Sequence, residues 1–308
     1  MDRTDTSRFD PDRIRVVVFD ADGVLVHGAT FHPAALNTWH WVKSTGRTTY
    51  LLTNNSTTSR ARYARRWQRR GFPIKRSEIV SSGYLAALLL RRVVDERAWP
   101  VLQSVDVPHF YIVGGTGIPA ELRATRVAAT WSRDPRDTRP AQVVIVGLDK
   151  NITYRKLARA LRSLLYDDAV FVATNRDATY PTETGLWPGA GSIVASLVTA
   201  SGREPDFVMG KPEPQALWFI RDLVGCRSDE MLIVGDRLET DILCARRAGV
   251  WSALVLSGVT SAERLAATHD PLLWPDFVLD DVGQLADLFR HPARFAYRHA
   301  HERAAVKK

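Results

Sequence analysis

Two carboxylates one residue apart close a strongly apolar run, IRVVVF (14–19) being followed by Asp20-Ala21-Asp22-Gly23. In extended chain residues i and i+2 point to the same side, so both acids share one spot and need a cation there. A hard oxygen-donor site of this kind suits Mg²⁺, which takes one or two carboxylates and completes its octahedron with water and substrate phosphate. Gly23 lets the chain turn sharply behind them. A second acid pair, Asp236 and Asp241, follows MLIVG (231–235). One acid sits at a strand end; the other sits near the start of a helix with Leu238, Ile242 and Ala245 on one face, where negative charge is favoured. Taken alone, a helix cap and a surface acid explain this pair equally well.

Between these pairs stand groups that can hold an anion. Thr53 and Asn54, with Asn55 behind them, end the run YLLT (50–53). They offer a hydroxyl and an amide to phosphate oxygens, and the helix start that follows offers free backbone N–H groups. Lys211 follows FVM (207–209) in Gly210-Lys211-Pro212, with the proline fixing the turn behind it. Each group alone is an ordinary cap or a solvated cation. In chain order they supply a carboxylate pair, a hydroxyl–amide pair, a lysine and a second carboxylate pair, each at the end of a predicted strand. Asp10-Pro11-Asp12 lacks a preceding strand, and Asp280-Asp281 after FVL (277–279) reads as a strand end and helix cap.

The elements that must carry these tails are legible as short apolar runs at 14–19, 50–53, 110–113, 143–147, 170–174, 231–235 and 253–256. Continuous rather than alternating apolarity marks strands buried on both faces. Amphipathic stretches lie between them, such as 33–45 with Leu36, Trp39 and Val42 on one side and Gly46 as its stop. The alternation predicts an α/β fold with a parallel sheet, whose ligands sit beyond the carboxyl ends of the strands.

A chain of 308 residues predicts about two domains, and 45% hydrophobic with 25% charged residues excludes fibrous and wholly disordered classes. No apolar run approaches the ~18 residues that cross a bilayer, and the start lacks a secretory apolar region; a soluble, cytoplasmic protein without membrane contact is expected. Cys226 and Cys244 are too few for an oxidised framework and read as reduced. The net charge of +8 points to an anionic partner, whether nucleic acid, acidic lipid or a phosphorylated small molecule. Arg60, Arg62, Arg65, Arg66, Arg69, Arg70, Lys75 and Arg76 form a dense basic stretch with Tyr63 and Trp67 on one side. A solvated helix face is the preferred reading over nucleic-acid binding, because no nucleic-acid motif accompanies it. Gly115-Thr116-Gly117 formally matches a dinucleotide fingerprint but reads as a turn, and His299-Ala300-His301 reads as surface.

FDADGV (19–24), LLTNNST (51–57), GKPEP (210–214) and GDRLETDI (235–242) resemble the four motifs of the haloacid dehalogenase (HAD) superfamily. VIVGLDKNITYRKLARAL (144–161), FVATNRD (171–177), PGAGSIVASLVTASGREP (188–205) and GDRLETDILCARRAG (235–249) resemble its 4-nitrophenylphosphatase, phosphoglycolate phosphatase and NagD-type branch, subclass IIA. The likeness spans roughly residues 14–285. It implies a Rossmann-like core of 14–81 and 205–289 and an inserted α/β (C2-type) cap of 82–204; outside it, the polar residues 1–13 read as a mobile leader and the charged run 290–308 as a basic tail.

The same resemblance implies roles. Asp20 is the nucleophile, and Asp22 the acid and then base. Asp20, the backbone carbonyl of Asp22 and Asp236 hold Mg²⁺, and Asp241 supports the metal shell or Lys211. Thr53, Asn54, Asn55 and Lys211 hold the phosphoryl group. Asn175, Arg176, Asp177 and Tyr180 fall where the cap lowers a specificity loop, although an ordinary turn explains them too. The implied activity is Mg²⁺-dependent hydrolysis of small phosphomonoesters, such as phosphoglycolate, glycerol phosphate or a sugar phosphate, through an aspartyl phosphate, with a possible homodimer through the cap. The alternatives are phosphoryl transfer to a sugar hydroxyl and a non-catalytic regulatory protein that binds phosphometabolites. Ala21 and Val26 depart from the branch's usual Leu and aromatic residue, at the entrance to the substrate pocket rather than in the chemistry.

Overall fold

The computed structural model describes residues 6–182 and 184–297. It divides into two compact units, one made of residues up to 52 together with those from 211 onward, the other of residues 53–210. The first unit opens with β1 (Val16–Asp20), every residue of which is buried. A small antiparallel pair, β2 (Val26–His27) and β3 (Thr30–Phe31), follows, and then β4 (Thr48–Thr53). The helix before β4, Ala35–Ser44, buries Ala35, Thr38, Trp39 and Val42. Leu36, expected on its apolar side, is instead exposed, because the buried face runs through 35, 38, 39 and 42. Within the expected leader, Phe9 is buried and meets Trp251, Phe277 and Phe289 edge-on.

The second unit carries β5 (Ile79–Ser81), β6 (His109–Val113), β7 (Thr130–Ser132), β8 (Val143–Val146), β9 (Val170–Ala173), the hairpin of β10 (Thr179–Thr182) with β11 (Gly185–Pro188), and β12 (Phe207–Val208). Five of these form a parallel sheet in the order β12-β9-β8-β6-β7. Its core includes Tyr111, Val144, Val146, Leu164, Phe171, Val194 and Leu197.

The contacts group residues 53–81 with this unit; the resemblance to the family assigns them to the core, and β5 is in fact the edge strand of the core sheet, next to β4. Their contacts explain the grouping. The guanidinium of Arg60 pairs with Glu121 at 3.2 Å, with side chains only 6% and 3% exposed, and Glu121 also accepts the Arg60 backbone N–H at 2.6 Å. The backbone at Gly117 lies so close to the 56–58 loop that a Cβ there would stand 2.4 Å from the Ser56 carbonyl oxygen. The glycines of the formal dinucleotide match are therefore filled by chain, with Gly115 packed against Thr57.

The chain then returns to the first unit for β13 (Met231–Gly235), β14 (Trp251–Val255) and β15 (Phe277–Leu279). Five strands of its sheet run in the order β15-β14-β13-β1-β4, each parallel to its neighbour. Connections from β1 lead to β4 on one side, and β13 lies on the other. The carboxyl end of β1 is thus a topological switch point, where ligands of open α/β sheets bind. Asp281 caps the turn after β15 through its side chain, as expected of Asp280-Asp281. Both cysteines are free. Among the described residues no helix is long and apolar enough to cross a membrane.

Removing one partner of a buried ion pair strands the other. Glu121→Ala is expected to destabilise the 53–210 unit by about 3–5 kcal/mol, measured by denaturant unfolding; a change under about 1 kcal/mol would show that the pair does not hold the 54–81 segment in place.

Candidate active site

Asp20 is the last residue of β1, and Asp236 directly follows β13. The register that sets Phe19 beside Val234 brings these two strand ends together. Asp241 lies on the buried turn Leu238–Ile242, whose apolar residues anchor it to the core. Ligand oxygens of Asp20, Asp236 and Asp241 lie within 4.8 Å of one another, and all three residues are buried.

Lys211 is 3% exposed, and its Nζ donates to Asp20 Oδ1 and to Asp241 Oδ1 at 2.6 Å each. Burial opposes its charge, but the two carboxylates outweigh burial and hold the ammonium above its usual range. For Asp20, burial is the largest influence, and with Asp241 and Asp236 nearby it raises the carboxyl well above the usual range against the pull of Lys211. Asp236 is pushed up to about 6, chiefly by burial and then by Asp241. Three buried carboxylates face one buried ammonium, and that excess negative charge is what a divalent cation neutralises.

The surroundings of Asp236 fit such an ion. Its Oδ2 accepts the Val259 N–H at 2.8 Å, while its buried Oδ1 has no hydrogen-bond partner. Backbone wraps it from two sides: a Cβ on Gly23 would stand 2.1 Å from Asp236 Oδ2, and one on Gly258 2.2 Å. Gly23 also has φ +83, the left-handed region that a side chain rarely adopts. Asp241 Oδ2 accepts the backbone N–H groups of Asp236 and Arg237 at 3.2 and 3.1 Å, which fixes its orientation. The all-oxygen donor set suits a hard cation.

Asp22 is exposed, carried on the turn that Gly23 closes by donating to the Val26 carbonyl at 2.8 Å. Exposure suits a group that must exchange a proton with substrate or water. In the second unit, Thr53 Oγ1 accepts the Asn55 N–H at 3.1 Å, and Asn55 Oδ1 is engaged by the N–H and hydroxyl of Thr57 at 2.9 and 2.8 Å. Asn54, Asn175 and Asp177 are brought together: Asn54 Nδ2 donates to both carboxylate oxygens of Asp177, and Asn175 Nδ2 donates to the Asn54 carbonyl at 2.8 Å. Arg176 is not part of that group, since its guanidinium pairs with Glu204 at the surface at 2.7 Å. Tyr180 packs under the Lys150 ammonium, 4.9 Å from the ring centre. The tail Ser257-Gly258-Val259 was missed in the sequence, yet it follows the apolar run at 253–256 by the same rule that located Asp20 and Asp236. His299-Ala300-His301 and the rest of the tail beyond 297 lie outside the described residues.

A family model for haloacid dehalogenase-like hydrolases matches residues 17–127, and a second HAD hydrolase-like model matches 208–285. The chain is 36% identical to chronophin of Rattus norvegicus over 88% of its own length and 86% of that protein. It is 33% identical to phosphoglycolate phosphatase 2 of Arabidopsis thaliana, over 91% and 95%. The chain belongs to the haloacid dehalogenase-like hydrolases. Among solved structures it resembles a glycerol phosphate phosphatase from Mycobacterium tuberculosis crystallised with magnesium, with a TM-score of 0.75, 30% identity and coverage of 88% of this chain and 76% of that one.

A cation takes Asp236 as carboxylate, so lowering the pH through about 6 must weaken binding. Titration calorimetry with Mg²⁺ is expected to show affinity falling below that pH, and a pH-independent affinity between 5 and 8, a window chosen about the Asp236 value near 6, would contradict the assignment.

Proposed function

We propose that this protein is a cytoplasmic, Mg²⁺-dependent phosphatase of small phosphomonoesters that works through an aspartyl phosphate on Asp20. The observation that carries this reading is the buried Lys211 clamped between Asp20 and Asp241 beside Asp236. Lys211 holds Asp20 Oδ1, so the other carboxylate oxygen is the one available to attack phosphorus. As that bond forms, the ester oxygen leaves and takes a proton from Asp22. Asp22, now a carboxylate, removes a proton from water; the water oxygen attacks phosphorus, the acyl phosphate bond breaks, and inorganic phosphate departs with Asp20 restored. Lys211 neutralises charge that spreads over the phosphoryl oxygens, and Thr53, Asn54 and Asn55 are the further donors assigned to them.

Asp20 and Asp236, with the Asp22 carbonyl, would hold Mg²⁺, with Asp241 behind them on Lys211. Bound there, the ion supplies positive charge that keeps the carboxylates ionised and withdraws electrons from the phosphoryl group. Relatives acting on phosphoglycolate and glycerol phosphate support a substrate of that size. A homodimer through the inserted unit belongs to the same proposal, supported by Leu186 and Trp187, both exposed on its hairpin.

Wild-type protein with Mg²⁺ is expected to release inorganic phosphate from 4-nitrophenyl phosphate and from at least one member of a phosphometabolite panel. Chelator and Asp20→Asn abolish release, and Asp22→Ala lowers it by about 10²–10⁴-fold. Unchanged release by Asp22→Ala would sink the acid–base assignment, and recovery of phosphate only on an acceptor hydroxyl would make the protein a phosphotransferase.

A further inference from the structure

The chain passes between its two units twice, at 52/53 and at 210/211. Within the second unit, one turn holds the residues next to both crossings. Asn54, two residues past the first, donates its Nδ2 to Asp177 Oδ1 at 2.9 Å and to Oδ2 at 3.1 Å. The carbonyl of Asn54 accepts from Asn175 Nδ2 at 2.8 Å and from Ser82 Oγ at 2.7 Å. Asp177 N–H in turn donates to Asn175 Oδ1 at 3.1 Å, and Asn175 is 4% exposed. Gly210, the last residue before the second crossing, is pressed into the same group. A Cβ there would stand 2.5 Å from Asn54 Oδ1, 2.8 Å from Asn175 Cβ and 2.8 Å from the Thr174 carbonyl oxygen. The Met209 N–H donates to the Ala173 carbonyl at 3.0 Å, which continues the β12–β9 pairing up to Gly210.

We propose that Asp177 is a positioning residue for Asn54, fixing the orientation of its amide from the turn 174–177. The proposal rests on the phosphatase reading above, since it takes Asn54 as a donor to the phosphoryl group. Its chemistry is simple. A carboxylate only accepts, so Asp177 selects one of the two orientations of the Asn54 amide: Nδ2 faces Asp177 and Oδ1 faces Gly210. The bond is charge-assisted and therefore stronger than an amide–amide contact. An Asn54 amide free to flip would present the wrong atom to an anionic oxygen for part of the time. Such a defect lowers the rate on every substrate alike, whereas loss of a contact to the substrate body would depend on that body.

The test is a double-mutant cycle on kcat and KM with 4-nitrophenyl phosphate and with glycerol phosphate, using Asn54→Ala, Asp177→Ala and the double variant. Asp177→Ala is expected to lower kcat on the order of 10- to 100-fold on both substrates, with KM little changed. The double variant should be no worse than the worse single one, as for residues acting as a unit. Asp177→Asn, whose amide oxygen still accepts one bond, should recover part of the loss. Factors that multiply in the double variant overturn the proposal, as does a loss that sits in KM and differs between the two substrates. If an alanine variant does not fold, Asp177→Asn with Asn54→Ser completes the same cycle and is judged by the same criteria. Wild-type protein inactive on both substrates overturns the phosphatase reading and this proposal with it; active wild type with multiplying factors overturns this proposal alone.

Discussion

Three carboxylates buried within 4.8 Å of one another are the constraint on which the first unit is built. Taking ionised carboxylates out of water is costly unless they are paired and hydrogen-bonded. The chain meets that demand with Lys211 between Asp20 and Asp241, two backbone N–H groups on Asp241, and one on Asp236. What remains is the orphaned Asp236 Oδ1 and a surplus of negative charge. A structure that only needed stability would replace such a cluster with apolar side chains. Its persistence in the core is explained by a cation and a phosphoryl group that complete the balance when bound.

The topology follows from that need. Asp20 and Asp236 come from strands more than two hundred residues apart in sequence, and only parallel pairing of β1 with β13 sets their carboxyl ends side by side. The chain leaves the first unit after Leu52 and re-enters it at Lys211. Glycines occur where backbone must approach a carboxylate closely, at Gly23 and Gly258 around Asp236 and at Gly235 against Asp241.

The residues of this core site were legible because each follows a continuous apolar run, and a buried parallel strand announces its own carboxyl end. The seven runs identified as strands all appear as strands, and the α/β class with a parallel sheet is what the chain adopts. The shorter pieces were not legible: β7 is three residues long with an exposed first position, and the β10–β11 hairpin has no buried alternation to reveal it. Links that depend on tertiary folding leave no local signal. Arg60 with Glu121 and Asn54 with Asp177 each join distant residues of ordinary turn or helix type. The anchoring of Phe9 is of the same kind, since one aromatic residue in a polar leader has no periodicity.

The central claim is that Asp20 receives the phosphoryl group. The most direct measurement is a single-turnover reaction with radiolabelled phosphomonoester and Mg²⁺, quenched in acid within milliseconds, digested, and sequenced by mass spectrometry. The account predicts transient label on the peptide bearing Asp20, decaying as inorganic phosphate appears, and none on Asp20→Asn. Phosphate released at the wild-type rate with no labelled peptide, or with label on another residue, would contradict it.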